Sequence, residues 1–96
     1  MTDNQKKCLE QAESYMERLP FSEAGLVDQL EYKGYDKEEI SFALENINAD
    51  WKENALRKAE DYVETLPLSD DTLKNQLAYD GFTEEQIEYA FGKVFK

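Results

Sequence analysis

Residues 19–35 read LPFSEAGLVDQLEYKGY, and residues 66–82 read LPLSDDTLKNQLAYDGF. The two stretches match at an offset of 47 residues, and the same offset continues without a gap over 38 positions, from Ala12 to Ala49. Fifteen of those positions hold the same residue in both copies. A match at a fixed period indicates an internal duplication. We therefore expect a first repeat at residues 1–48 and a second repeat at residues 49–96.

The apolar residues of each repeat are spaced for three short helices. From about Asp3 to Arg18 they recur every three or four positions, as on the buried face of a helix. Pro20 ends that helix, because proline disfavours helical geometry in the residue before it. Side chains that cap helix starts then recur, and three of them have Glu or Gln three residues on. The expected N-caps are Ser22, Asp36, Asp50, Ser69 and Thr83.

The turn residues complete the predicted fold. Gly34 and Gly81 follow the second helix of each repeat, where a left-handed backbone is wanted, so we expect a positive φ at both. We expect Asn48 to stop the next helix in the same way. Trp51 follows the short connection between repeats, and we expect it to be largely buried and to tie them into one unfolding unit. The sequence predicts an all-α fold, a tandem repeat of two three-helix modules, each with a helix-turn-helix-like outline.

The chain is strongly acidic throughout its length. Eleven basic and 22 acidic residues give a formal net charge of −11, and each repeat holds 11 of the acidic residues. The helices that would read DNA in a helix-turn-helix protein carry mostly carboxylates here, and a negative surface repels phosphate backbones. We therefore expect no nucleic-acid partner. Basic protein segments suit this charge, and we expect the chain itself to be a monomer.

Side chains suited to catalysis, metals or cofactors are scarce. The sequence has no histidine, and paired carboxylates such as Glu38 and Glu39 point to different sides of a helix, so they do not share a proton. We expect no enzyme activity, no metal site and no cofactor. Cys8 stands at a core-facing position where the second repeat has Ala55, so we expect a small buried apolar residue. We also expect no bilayer-spanning run and no signal peptide in this sequence.

From Ala12 onward the sequence reads A-x-x-Y-x-x-x-L-P-F-S-x-x-G-L-x-x-Q-L-x-Y-x-G-Y, and residues 49–59 read A-D-W-x-x-x-A-L-x-x-A. This pattern resembles the host-cell-surface-exposed lipoprotein family, tandem-repeat proteins of temperate phages of Gram-positive bacteria and of related genomes. The resemblance covers nearly the whole chain, from about Leu9 to Val94. In the second repeat, Thr72 and Leu68 depart from the pattern at the places of Gly25 and Phe21.

The resemblance implies a function in superinfection exclusion. It implies a lipoprotein on the extracellular face of the host cell membrane that blocks DNA injection by an incoming phage. It also implies a phage tail tape-measure protein as the target. The lipid-anchor signal of the family is not found in this sequence, so we expect membrane attachment only through an anchor outside it.

One aromatic ring and several carboxylates project away from the core stripe on the third helix of each repeat. Phe42 lies beside Glu38 and Glu45, and Tyr89 lies beside Glu85. Such a ring can bury the apolar part of a basic amphipathic segment while the carboxylates bind its lysines. The candidate partner-binding residues are Glu38, Glu39, Phe42, Glu45, Glu84, Glu85, Glu88 and Tyr89. The alternative role for these rings, and for Tyr32 and Tyr79, is packing between the repeats or against the first helix.

Three functions remain open from the sequence. The first is a module that binds a basic or amphipathic protein segment, which the resemblance implies is a phage component. The second is a structural or cell-surface protein-interaction module without a phage role. The third is an acidic DNA mimic, which would need carboxylates in rows at phosphate-like spacing.

Overall fold

The computed structural model describes residues 1–94. This part of the chain forms six α-helices and no strand: α1 (Asp3–Arg18), α2 (Glu23–Tyr32), α3 (Lys37–Asn46), α4 (Trp51–Thr65), α5 (Asp70–Tyr79) and α6 (Glu84–Val94). The all-α prediction, with three helices per repeat, is confirmed. The two repeats follow one another along a body that measures 45 × 21 × 21 Å.

Local side-chain chemistry sets the helix starts. The Asp36 carboxylate accepts the Glu39 backbone N–H at 2.8 Å, and the Glu39 carboxylate accepts the Asp36 backbone N–H at 2.9 Å. This reciprocal pair is the expected capping box, and it satisfies two backbone donors that a helix start leaves unpaired. Asp50 accepts the Glu53 backbone N–H at 3.2 Å, but the Glu53 carboxylate makes no return bond to the Asp50 N–H, so only half of the expected box forms there. The remaining expected N-caps, Ser22, Ser69 and Thr83, each accept a backbone N–H from the first turn.

Two of the three expected left-handed stops are present. Gly34 has φ of 96° and Gly81 has φ of 101°, which confirms both predictions. The prediction for Asn48 is wrong, because no residue other than glycine has a positive φ within residues 1–94. Ile47 ends α3 in an extended conformation, with its N–H still donated to the Ala43 carbonyl. An extended exit leads directly to the Asp50 cap of α4, so no left-handed reversal is needed there.

Each repeat builds its own apolar core. The long first helix packs against the third, α1 on α3 and α4 on α6, and the middle helix closes the side. The first core consists of Cys8, Ala12, Leu26, Leu30, Ile40 and Ala43. The second core consists of Ala55, Ala59, Leu73, Leu77, Phe82, Ile87 and Ala90. Cys8 is fully buried, as the sequence predicts.

Trp51 connects the second repeat to the core of the first. It is the first residue of α4, yet its ring packs against the core of the first repeat. The residue is half-buried, so the expectation of a largely buried ring is only partly met. The contact nevertheless crosses from one repeat to the other, as the prediction of a tie requires.

Candidate partner-binding surface

A shallow hollow lies on the outer side of α3 in the first repeat. Its volume is about 330 Å³, and its lining residues are Gln5, Lys37, Glu38, Ser41, Phe42 and Glu45. Phe42 is half-buried and packs against neither core, while Glu38 and Glu45 are exposed. The ring thus lies outside both apolar cores and shares the hollow with Gln5 of the first helix. We call this hollow the Phe42 hollow.

Glu39, another candidate, has a structural task. Its carboxylate closes the capping box with Asp36, and the residue is half-buried. It lines a neighbouring hollow of about 460 Å³ at the adjacent starts of α1 and α3, which shares Gln5 and Glu38 with the Phe42 hollow. Glu39 is thus tied to the helix start and does not line the Phe42 hollow.

The matching position in the second repeat is covered by cations of the same chain. Tyr89 is half-buried, with the Lys52 Nζ 5.9 Å and the Lys93 Nζ 5.7 Å from its ring centroid. The Lys52 Nζ also lies 3.2 Å from the Glu85 Oε1. The remaining candidates, Glu84 and Glu88, are exposed. The structure therefore places the two sets of candidate residues on corresponding faces but in different electrostatic surroundings.

A seam between the repeats uses polar residues whose role the sequence did not reveal. The Ser22 Oγ donates to the Asp80 backbone carbonyl at 2.6 Å while it accepts the Gly25 N–H at 2.9 Å. The Asn54 Nδ2 donates to the Phe21 carbonyl at 2.9 Å. Ser22 and Asn54 are the two buried polar residues of the described chain. The sequence did contain one signal, since Asn54 lies three residues after Trp51 on the inward side of α4.

Asp80 connects this seam to the second core through its side chain. Its carboxylate accepts the Tyr62 hydroxyl at 2.6 Å, and the Lys58 Nζ lies 5.5 Å from the centre of the Tyr62 ring. Burial raises the pKa of Tyr62 above its usual value, and the hydrogen bond to Asp80 raises it further. The hydroxyl therefore remains a donor at neutral pH, which holds Asp80 where its backbone carbonyl meets Ser22.

The sequence comparisons identify two copies of one family. The family model described as host cell surface-exposed lipoprotein matches residues 3–47 and again residues 50–94. The chain belongs to this family. The resemblance noted from the sequence is thereby confirmed. None of the curated proteins matches the sequence.

A solved structure of a family member has the same fold. It is Ltp, a superinfection exclusion protein from the Streptococcus thermophilus temperate phage TP-J34. The two chains share 29% sequence identity, the match covers 98% of each, and the TM-score is 0.88. The similarity therefore includes both repeats and their placement along the chain.

In the present chain, one tyrosine in each repeat is exposed at matching places. Tyr32 is 84% exposed at the end of α2, and Tyr79 is 79% exposed at the end of α5. Neither packs between the repeats or against a first helix, so the packing alternative is wrong for this pair.

No helix in residues 1–94 is long and apolar enough to cross a membrane.

Proposed function

We propose that this chain is the extracytoplasmic domain of a superinfection-exclusion lipoprotein. It lies on the outer face of the host cell membrane, held by a lipid anchor of the full-length protein, and blocks DNA injection by an incoming phage. The observation that carries the proposal is the match to Ltp over 98% of both chains at a TM-score of 0.88. The family description, a lipoprotein exposed on the host cell surface, supports the same location.

The proposed target is a basic segment of the phage tail tape-measure protein. The net charge of −11 favours a positively charged partner, since complementary fields speed the encounter of two proteins. The exposed carboxylates Glu38 and Glu45 beside the Phe42 ring provide both charge and apolar contact area. A ring can exclude water from the contact, and the carboxylates then select lysine-containing segments.

The proposal is tested in living cells by phage challenge. A Gram-positive host displays the chain through a lipoprotein leader, and a matched strain secretes the same chain without the anchor. We expect the anchored strain alone to show a large drop in plating efficiency, with unchanged phage adsorption and no phage DNA inside the cells. Equal plating of the two strains at equal protein levels would contradict exclusion. That result would favour the cell-surface interaction module without a phage role.

The target is tested by calorimetric titration of tape-measure fragments rich in lysine and arginine, at two salt concentrations. We expect affinity to fall as salt rises, because the Debye length shortens from about 10 Å at 0.1 M to about 3 Å at 1 M. The double variant Glu38→Gln, Glu45→Gln should bind more weakly while Glu39 and its helix cap remain intact. Affinity that is independent of salt would exclude the electrostatic mechanism.

A matched variant controls for net charge. Glu13→Gln together with Glu17→Gln changes the net charge by the same two units at exposed positions of α1 that do not line the Phe42 hollow. We expect this control to bind nearly as well as the parent. Equal weakening by both double variants would mean that only overall charge matters and that the α3 surface is not the contact.

A further inference from the structure

In the second repeat, two lysines of the same chain lie near the Tyr89 ring of the third helix. Lys52 lies between the Glu85 carboxylate, at 3.2 Å, and the Tyr89 ring, at 5.9 Å from the centroid. Lys93 approaches the same ring at 5.7 Å. These distances are in the range in which an ammonium group is attracted to the face of an aromatic ring. The Tyr89 position thus holds two lysine ammonium groups supplied by the chain itself.

The first repeat has an aromatic ring and a carboxylate at the matching positions but lacks the two lysines. At the 47-residue offset, Phe42 stands for Tyr89 and Glu38 for Glu85, and both line the Phe42 hollow. Gln5 and Asn46 replace Lys52 and Lys93. No cation among residues 1–94 lies over the Phe42 ring, and the four ring–cation contacts of this part of the chain all belong to the second repeat.

The charges around the hollow favour an external cation. Glu38 and Glu45 are exposed carboxylates on its rim, and Lys37 is the one basic residue among its lining side chains. Gln5 is held by the start of α1, where its Oε1 accepts the Thr2 backbone N–H at 2.8 Å. Asn46 donates its Nδ2 to the Phe42 carbonyl at 2.8 Å. Both side chains are therefore engaged locally and bring no positive charge to the ring.

From this difference we infer that the Phe42 hollow is a receptor for lysine side chains of a basic protein segment, and that the matching place in the second repeat is closed by Lys52 and Lys93. An ammonium group placed as Lys52 is placed would meet Glu38 and the Phe42 ring together. The partner class rests on the proposed function, whereas the assignment to one repeat rests on the geometry of the two repeats. One chain then binds one such segment through its first repeat.

The first test is a titration of a synthetic lysine-rich amphipathic peptide, with the lysine-acetylated peptide as control. We expect one bound peptide per chain and no binding of the acetylated form. Phe42→Leu should weaken binding at least tenfold, since it removes the ring but no charge. Tyr89→Leu should leave affinity unchanged. Equal loss in the two variants, no loss in Phe42→Leu, or no binding by the parent would overturn the inference.

The second test exchanges the lysines between repeats. Gln5→Lys with Asn46→Lys gives the first repeat the cations of the second, and we expect at least a tenfold loss of affinity. Gln5→Ala with Asn46→Ala loses the same local hydrogen bonds without adding charge, so it measures what those bonds contribute, and we expect it to lose much less affinity than the lysine variant. Glu13→Gln with Glu17→Gln changes the net charge equally at another place and should also bind well. If all three variants weaken binding alike, the inference is wrong.

The reverse exchange gives a change in stoichiometry. Lys52→Gln with Lys93→Asn removes the lysines over Tyr89, so we expect two bound peptides per chain where the parent binds one. A general charge effect would raise affinity but would leave the stoichiometry at one, which would contradict the inference.

The cellular assay separates this inference from the proposed function. If the Gln5→Lys, Asn46→Lys variant still excludes phage fully, the lysine receptor is wrong and the exclusion function stands. If the peptide binds as expected but anchored parent protein gives no protection, the receptor stands and the exclusion function is wrong.

Discussion

The two repeats share a backbone design but differ in how their surfaces are used. In the second repeat, lysines cover aromatic rings at Tyr62, Tyr89 and Phe91. In the first repeat the corresponding positions of these lysines hold glutamine, asparagine or valine. Since both repeats carry 11 acidic residues, the difference lies in the placement of cations and not in acid content. A duplicated module thus keeps its caps and core, while one copy places lysines beside its half-buried rings and the other leaves the Phe42 ring without a cation from residues 1–94.

The seam shows a second difference between the repeats. Ser22 and Ser69 both cap the middle helix, but Ser22 is buried against the other repeat and Ser69 is exposed. A methyl group added at Gly81 would lie 2.7 Å from the Ser22 Oγ, whereas one added at Gly34 would meet no atom within 4 Å. The α2 start of the first repeat therefore docks on the α5–α6 turn of the second. We therefore expect equivalent residues to contribute differently to stability, because Ser22 and Gly81 lie at the contact between the repeats whereas Ser69 and Gly34 do not.

The largest expected effect tests whether the seam joins the repeats into one folding unit. Leu77→Ala removes a fully buried side chain from the second core and should lower the free energy of unfolding by about 2–5 kcal/mol. Trp51 packs on the first core, so its fluorescence reports on the first repeat. We expect thermal unfolding followed by circular dichroism and by Trp51 fluorescence to shift together. The reciprocal variant Leu30→Ala should do the same.

Separate transitions would break this comparison. If Leu77→Ala lowers the midpoint seen by circular dichroism but leaves the Trp51 transition in place, the repeats unfold independently. The seam hydrogen bonds of Ser22 and Asn54 would then contribute little to stability.

Local chemistry was predictable from the sequence, whereas contacts between distant residues were not. The Asp36 capping box and the positive φ of Gly34 depend on residues within one turn, so spacing alone identified them. The Ser22–Asp80 hydrogen bond joins residues 58 positions apart and needs the relative placement of the repeats. The contact between Lys52 and Tyr89 could not be predicted from the sequence either, because it depends on how α4 packs on α6. Asn48 failed as a stop because composition does not distinguish an extended exit from a left-handed one.

The second prediction compares the two turn glycines. Gly34→Ala should lower stability by about 1–2 kcal/mol, because a side chain disfavours the left-handed backbone. Gly81→Ala should cost about 1–3 kcal/mol more, because its methyl group would collide with the Ser22 Oγ and with the Ala24 side chain, 3.0 Å away. Gly92, inside α6 with open space around it, is the matched control, and Gly92→Ala should stabilise by up to about 1 kcal/mol. Chemical denaturation of the three variants measures these changes, and equal costs at Gly34 and Gly81 would mean that the seam is not tightly packed in solution.

The smallest expected effect concerns Cys8, which stands where the second repeat has Ala55. Burial, with smaller contributions from Glu39 and Asp36, raises the pKa of the Cys8 thiol from 9.0 to about 11. The folded chain therefore keeps this proton longer than the unfolded chain, so the stability from the neutral thiol is complete below pH 9 and is lost as the pH rises to about 11. Cys8→Ala should cost about 1 kcal/mol near pH 7 through the lost sulfur contacts. This difference should shrink above pH 9 and change sign before pH 11, because each unit of pKa shift is worth about 1.4 kcal/mol and the Cys8 pKa rises from 9.0 to about 11. Urea unfolding of both proteins across that range is the measurement, and a stability difference that stays constant with pH would mean that Cys8 ionises as freely in the folded chain as in the unfolded one.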